Sequence, residues 1–187
     1  DEYLEVAAGY VKQMLRQAEE LGAKGKSEAA MEYFKEAERV INSHPELKPM
    51  LIEVYIGRGR TFLLKKDYPQ AIENLEFAFR LGIINPKQAI CINSWLIEAY
   101  FSIGDEEGVK CEFASAMELY QRCKEEIIKS SDPMLFRAIG KIYYYFSQLL
   151  LNSRGEKKIR QAKDLFSESI QWFYKSQDTQ MMDCALD

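Results

Sequence analysis

The sequence predicts an all-α fold, a right-handed solenoid of about four helix-turn-helix hairpins. Three observations predict it. Apolar residues recur with a 3.6-residue period over long stretches, and the 10 Gly and 5 Pro of the 187 residues fall between those stretches. No segment alternates apolar and polar residues as a half-buried strand would. Finally, one small-large-small pattern returns four times, each time on what would be the second helix of a hairpin.

The first helix is expected from about Glu2 to Leu21, where Gly22 and Gly25 stop it. Ser27 then caps a second helix reaching about Ile41. Ser43, Pro45 and Pro49 predict an extended turn before the third helix, which ends near Lys65. Asp67 caps the fourth, with Pro69 tolerated in its first turn, and Gly82 closes it. Asn85-Pro86 is a cap followed by proline at the first helical position, opening a fifth helix that Gly104 ends. Asp105 starts a sixth, running to about Lys129, and Asp132-Pro133 repeats the cap-plus-proline signal for a seventh. After a basic loop, an eighth spans roughly Lys158 to Lys175, and Asp178 caps the start of a ninth. The expected organisation is one domain over 1–187, with units of about 2–42, 46–82, 86–129 and 133–175 and a further helix starting in 178–187. No leader with a charged and then an apolar region opens the chain, and Asp1 is not an initiator Met, so a fragment of a longer protein is expected.

The repeat lies in the second helices: Ala30, Phe34, Ala37; Ala71, Leu75, Ala78; Val109, Phe113, Ala116; Ala162, Phe166, Ser169. Offsets of 0, 4 and 7 put each trio on one helical stripe. Small residues let the helices of a hairpin approach closely, and the large one fills the space between hairpins. The first helices carry the complement, best in Tyr55, Gly59, Phe62 and in Phe136, Gly140, Tyr143. There a helical glycine costs about 1 kcal/mol against alanine, and close packing is the expected compensation.

On these residues the chain resembles the tetratricopeptide repeat (TPR) family. Tyr55 to Ala78, with Gly59, Phe62, Lys66-Asp67-Tyr68, Ala71-Ile72 and Ala78, is similar to a nearly complete consensus unit, and the resemblance covers about residues 11 to 175. The anchors at 30, 71, 109 and 162 are separated by 41, 38 and 53 residues. The family repeat is about 34 residues, so helices or turns here are lengthened. Arg58 and Gln17 stand where the family has Leu, Val109 where it has Ala, and Pro45 and Pro86 fall beyond the favoured proline position. The resemblance is therefore to an irregular TPR array.

Composition excludes several functions. With 47% hydrophobic and 29% charged residues the chain can bury a core, and its formal net charge of −4 has the wrong sign for binding nucleic acid through its overall field. The longest apolar run, Ile142 to Leu151, is ten residues long and contains Ser147 and Gln148, too short to span a bilayer. Cys91, Cys111, Cys123 and Cys184 form no CxxC pair and have no histidine at metal-ligand spacing, so no metal and no cofactor are expected. Reduced thiols in a cytoplasmic compartment are expected instead. His44, the one histidine, sits in the turn Ser43-His44-Pro45, where an exposed loop position is expected and no neighbour supplies a catalytic partner. The pairs Glu19-Glu20, Glu106-Glu107 and Glu125-Glu126 are adjacent, so each pair diverges by about 100° on a helix and shares no proton. No GxxxxGK[ST], GxGxxG or GxSxG occurs. A catalytic role is not expected, and neither is a membrane or a direct nucleic-acid partner.

The resemblance implies a non-catalytic module that binds a protein or peptide in a concave groove lined by the first helices. Carried over position by position, the groove would take Lys12 and Glu19 from the first unit, and Glu53, Ile56, Arg60 and Leu63 from the second. It would take Ser94, Glu98 and Phe101 from the third, with Asn93 one place away, and Arg137, Lys141, Tyr144 and Tyr145 from the fourth. The expected ligand-binding set is Arg60, Asn93, Glu98, Phe101, Arg137, Lys141, Tyr144 and Tyr145. Leu15 and Glu19 stand where the family's carboxylate clamp needs Lys and Asn, so chaperone tails are disfavoured. A second resemblance, through units near 40 residues, is to the sensor halves of bacterial peptide-responsive transcription regulators of the Rap and PlcR type, with Asn93 as the candidate peptide-backbone ligand and any DNA-binding part elsewhere. Two features stand apart from the repeat. In Tyr143-Tyr144-Tyr145-Phe146, steps of about 100° prevent all four rings from entering one core; Tyr143 and Phe146 share a face, and Tyr144 and Tyr145 either pack on the next hairpin or present an aromatic platform. Arg154 to Lys163, with five basic residues and one acidic, is expected as a solvated loop able to meet an acidic partner. A scaffold that assembles through its convex surface or its open ends is a third possibility, with a homo-oligomer among the expected partners.

Overall fold

Helix capping sets most of the boundaries. In the computed structural model, which describes residues 2–82, 84–153 and 155–177, the helices are α1 Glu2–Ala23, α2 Ser27–Asn42, α3 Leu51–Leu64, α4 Tyr68–Arg80, α5 Pro86–Ser102, α6 Glu106–Ser130, α7 Pro133–Asn152 and α8 Glu156–Ser176. No strand occurs among the described residues, and the fold is all-helical. The Asp67 carboxylate accepts from the Gln70 N–H, Asn85 Oδ1 from Gln88, Asp105 from Gly108, and Asp132 from Met134 and Leu135, satisfying donors that a helix start leaves open. Pro69, Pro86 and Pro133 occupy first-turn positions, where a missing N–H is harmless.

Three expectations need correcting. Ser27 is the first helical residue rather than the cap; the cap position is Lys26, whose side chain makes no capping bond. The segment Pro45–Met50 is a 3-10 helix, not an extended turn, because the chain must turn tightly enough to bury Leu47. Most of the basic stretch is also helical: Lys157, Lys158, Arg160 and Lys163 stand exposed on the first two turns of α8. The helix expected from Asp178 lies outside the described residues.

The turns inside the first three hairpins share one geometry. A residue with positive φ (Gly25, +73°; Lys66, +61°; Gly104, +76°) ends the first helix, and the next N–H reaches back five residues, Lys26 to Leu21 O, Asp67 to Phe62 O and Asp105 to Tyr100 O. This is the Schellman closure, and it turns the chain straight into the next helix start. Glycine adopts this conformation freely; at Lys66 a side chain pays for it in Cβ crowding.

Contacts divide the chain into two compact units, Asp1–Ile83 and Ile84–Asp187. In the first unit α1 pairs with α2 and α3 with α4, while α3 also packs on α1 and α2. Its core gathers Val11, Leu15, Ala18, Ala30, Phe34, Ala37, Ile41 and Val54. The second unit repeats the scheme: α5 pairs with α6 and α7 with α8, while α7 packs on α5 and α6. Ile90, Ile97, Val109, Ala116, Leu135, Ile139, Ile142 and Trp172 fill its core.

The small residues of the repeated stripe are where helices touch. Ala30, Ala37, Ala71, Ala78, Ala116, Ala162 and Ser169 all have 0% exposure. A methyl group at Gly59 would lie 2.5 Å from Leu75 Cγ and 3.3 Å from the Ala71 carbonyl oxygen, and one at Gly140 would lie 2.5 Å from Phe173 Cε1. Arg58, at a position where the resemblance led to an expectation of Leu, has its own explanation. Its guanidinium pairs with Glu38 of α2, which also accepts from the Tyr55 hydroxyl at 2.9 Å, and it lies 5.2 Å from the Tyr55 ring centre. A charged tie thus joins the two hairpins at a position a leucine would fill with apolar contact.

Gly59→Leu should destabilise the first unit by about 1–3 kcal/mol, since the Ala71 backbone cannot yield as a flexible side chain can; unchanged urea unfolding would show that α3 and α4 do not meet there. Lys66→Gly should act oppositely and stabilise by about 0.5–1 kcal/mol, the relief of left-handed strain less the greater freedom glycine confers on the unfolded chain. Thermal unfolding of the two variants in parallel measures both.

Candidate functional site

In the second unit α5 and α7 lie side by side, and the residues that meet across them are those expected at the groove. Lys141 donates to Glu98 Oε2 at 2.5 Å, with the two side chains 14% and 23% exposed. One turn further along each helix, Phe101 meets Tyr145 with ring centres 5.3 Å apart. The spacing of three on α5 and four on α7 makes this a two-rung ladder, one rung ionic and one aromatic. Tyr144 sets its ring edge to face on Tyr145, centres 5.3 Å apart, and reaches Phe166 of α8 at 6.3 Å. Arg137 is exposed on α7, one turn before Lys141.

The four consecutive rings therefore divide among three neighbours. Tyr143 and Phe146 both pack on Phe113 of α6, the latter stacked at 3.8 Å, as their three-residue spacing predicts. Tyr145 goes to α5 and Tyr144 to α8. Both keep a partly exposed edge, so packing on a neighbour and presenting a ring to solvent are combined. Lys141 and Glu98 neutralise one another in a half-buried position.

Not every expected residue falls here. Asn93 is 1% exposed and faces α6, where its amide donates to Glu112 Oε2 at 2.5 Å and Ser115 Oγ at 3.4 Å; its Oδ1 is buried without a hydrogen-bond partner among the described residues. It is a helix-packing residue, not a groove residue, because at about 100° per residue it stands about 140° around the helix from Glu98 and about 80° from Phe101, on the side that α6 covers. Ser94 is likewise buried, its hydroxyl donating to the Cys91 carbonyl at 2.7 Å, and so is Ile56. Arg60 belongs to the first unit, where it meets Glu19 of α1 at 3.5 Å beside a cleft of about 40 Å³ lined by Gly22, Gly57 and Thr61. A cleft of this volume has room for water-sized molecules but not for a peptide side chain of any length.

His44 is half-buried, not exposed: its Nδ1 donates to the Val40 carbonyl at 2.8 Å and its ring meets Tyr3 at 5.6 Å. Among the described residues no three His, Cys, Asp or Glu side chains are grouped so as to hold a metal ion, and no helix is long and apolar enough to cross a membrane. Cys91 is buried, Cys123 half-buried and Cys111 exposed, while Cys184 lies outside the described residues. Comparisons with protein-family models, with curated proteins and with solved structures return no match to this chain.

Burial beside this face pushes the Tyr143 hydroxyl up to about 12, with negative charge on Tyr120 and Glu168 adding to it. A raised acid favours its neutral form in the folded state, so its contribution is complete below the unfolded value of about 10 and is lost as pH rises toward 12. Stability should fall through that window, and Tyr143→Phe should delay the loss; an alkaline denaturation series on both proteins tests this, and coincident curves would exclude Tyr143 as the cause.

Proposed function

We propose that the chain is a non-catalytic, TPR-like helical-repeat module that holds an extended peptide or a partner helix against the first helices of its hairpins. The observation that carries this is the α5–α7 face, where Phe101, Tyr144 and Tyr145 form a partly exposed aromatic shelf and Arg137 is exposed about two turns earlier on α7. Rigid aromatic rings next to a cation are the groups that dominate peptide and protein recognition, because they bury much area for little lost freedom. The packing scheme, first helix on first helix and second helix on the following first helix in each unit, is what a stacked right-handed array uses, and it leaves the first helices to present a surface. Four scattered cysteines suit a reducing, cytoplasmic setting.

Of the two candidate ligand types, a peptide bearing an apolar or aromatic side chain and a nearby carboxylate fits best: the shelf takes the first and Arg137 the second. The regulator-sensor alternative leaned on Asn93, and with that amide enclosed between α5 and α6 no observation favours it over a general binding module.

Display of a random peptide library against the immobilised 187-residue chain, followed by calorimetry on the selected peptide, tests the reading. Arg137→Ala and Tyr144→Ala should each weaken binding by about 1–3 kcal/mol with helicity unchanged, and added salt should weaken it further through Arg137. If both variants bind normally while Lys157→Glu and Lys158→Glu abolish binding, the basic start of α8 is the docking site and the α5–α7 assignment is wrong.

A further inference from the structure

We infer that the outer face of α1 is a self-association surface, on which two copies of the chain pack α1 against α1 in antiparallel orientation. Three large apolar or aromatic side chains on this one helix stay open to solvent, Tyr3 at 71%, Val6 at 66% and Tyr10 at 42%. Offsets of three and seven put them on one stripe, away from the face that carries Val11, Leu15 and Ala18 into the core. Tyr3 rests on His44 and the Tyr10 hydroxyl reaches Glu36 at 3.5 Å, so the rings are held in place while their outer surfaces remain uncovered.

Gly9 lies beside this stripe and supplies the second observation. Of the six described helical glycines, Gly22, Gly57, Gly59, Gly108 and Gly140 each have a side-chain atom where a Cβ would stand, whereas Gly9 has nothing within 4 Å. A glycine inside a helix is unfavourable, and no contact among the described residues accounts for this one. A helix crossing at Gly9 accounts for it, since the missing side chain lets two backbones approach closely.

Charge selects the occupant and its direction. On α1 the acidic Glu2 and Glu5 precede Gly9, and the basic Lys12 and Arg16 follow it. An antiparallel second copy crossing at Gly9 sets Glu5 against Lys12 of the second copy and Glu2 against Arg16 of the second copy, and symmetry repeats each pair. Parallel packing would set like charges together. Among the described residues Glu2, Glu5 and Lys12 form no ion pair, and Arg16 meets Glu20 across 4.0 Å at the exposed surface. Exposed pairs contribute little affinity but fix orientation.

Sedimentation equilibrium of the 187-residue chain over a concentration series tests this. The expected result is a reversible dimer of twice the 21.7 kDa chain mass. Val6→Glu should weaken it at least about tenfold. Gly9→Gln should weaken the dimer by about as much while raising the thermal midpoint of the monomer, which a merely structural glycine would not do. Glu5→Lys and Lys12→Glu should each weaken association, and the double variant should recover it to within about threefold. A chain that stays monomeric throughout, as when another protein or another helix is the natural occupant of this face, overturns the proposal. So does a dimer that survives both Val6→Glu and Gly9→Gln, or a double charge swap that fails to recover.

Discussion

Close approach of paired helices through small side chains is the constraint on which the rest of this structure depends. At Ala30, Ala71, Ala162, Gly59 and Gly140 the neighbouring helix occupies the space where a larger side chain would stand, so the distance between helices is set by what is absent from the sequence. Once that distance is set, the large member of each pair has one place to go: Leu75 over Gly59, Phe173 over Gly140, Phe34 over Gly57. The shared hairpin turns serve the same end. They reverse the chain within a few residues while the left-handed position and the following helix start absorb the unpaired backbone groups, so paired helices meet along their length.

Polar ties between hairpins do a different job. Glu38 with Arg58 and Tyr55 joins α2 to α3, and Glu98 with Lys141 joins α5 to α7. Apolar stripes tolerate small rotations of one helix on another, whereas a half-buried ion pair does not, because a rotation that parts the ions leaves each desolvated without its partner. In the second unit that sensitivity matters to the surface above it: the Glu98–Lys141 rung holds α5 and α7 in the register that puts Phe101 against Tyr145, and through Tyr145 supports Tyr144. Under the proposed reading, an aromatic shelf held this way would meet a peptide with little of the ordering cost a mobile surface carries.

Legibility from sequence differed between the helices and their surfaces. The helix starts at Asp67, Asn85, Asp105 and Asp132 were readable because a cap is a local event, one side chain meeting N–H groups two or three residues on. Ser27 misled because the same residue type serves at a cap and inside the first turn. Glu98, Phe101, Lys141, Tyr144 and Tyr145 were expected as a set only through the resemblance to the TPR family, whose groove positions were carried onto these helices. Asn93, expected with them, does not join them, since at about 100° per residue it stands about 140° around the helix from Glu98, in the α5–α6 contact.

By itself, then, the sequence determined the all-helical class, the order of eight helices, the pairing of consecutive helices into hairpins and the small-residue stripes on which they close, because each follows from interactions spanning a turn or two of helix. What waited for the tertiary structure was every fact that depends on two residues far apart in the chain. These include the pairing of Lys141 with Glu98 across 43 positions, the division of Tyr143 to Phe146 among α5, α6 and α8, the enclosure of Asn93, and the open space around Gly9. Periodicity says which residues share a side of a helix. Which neighbour covers that side, and whether any does, is decided when helices of set length and spacing pack together and only some of their faces find partners.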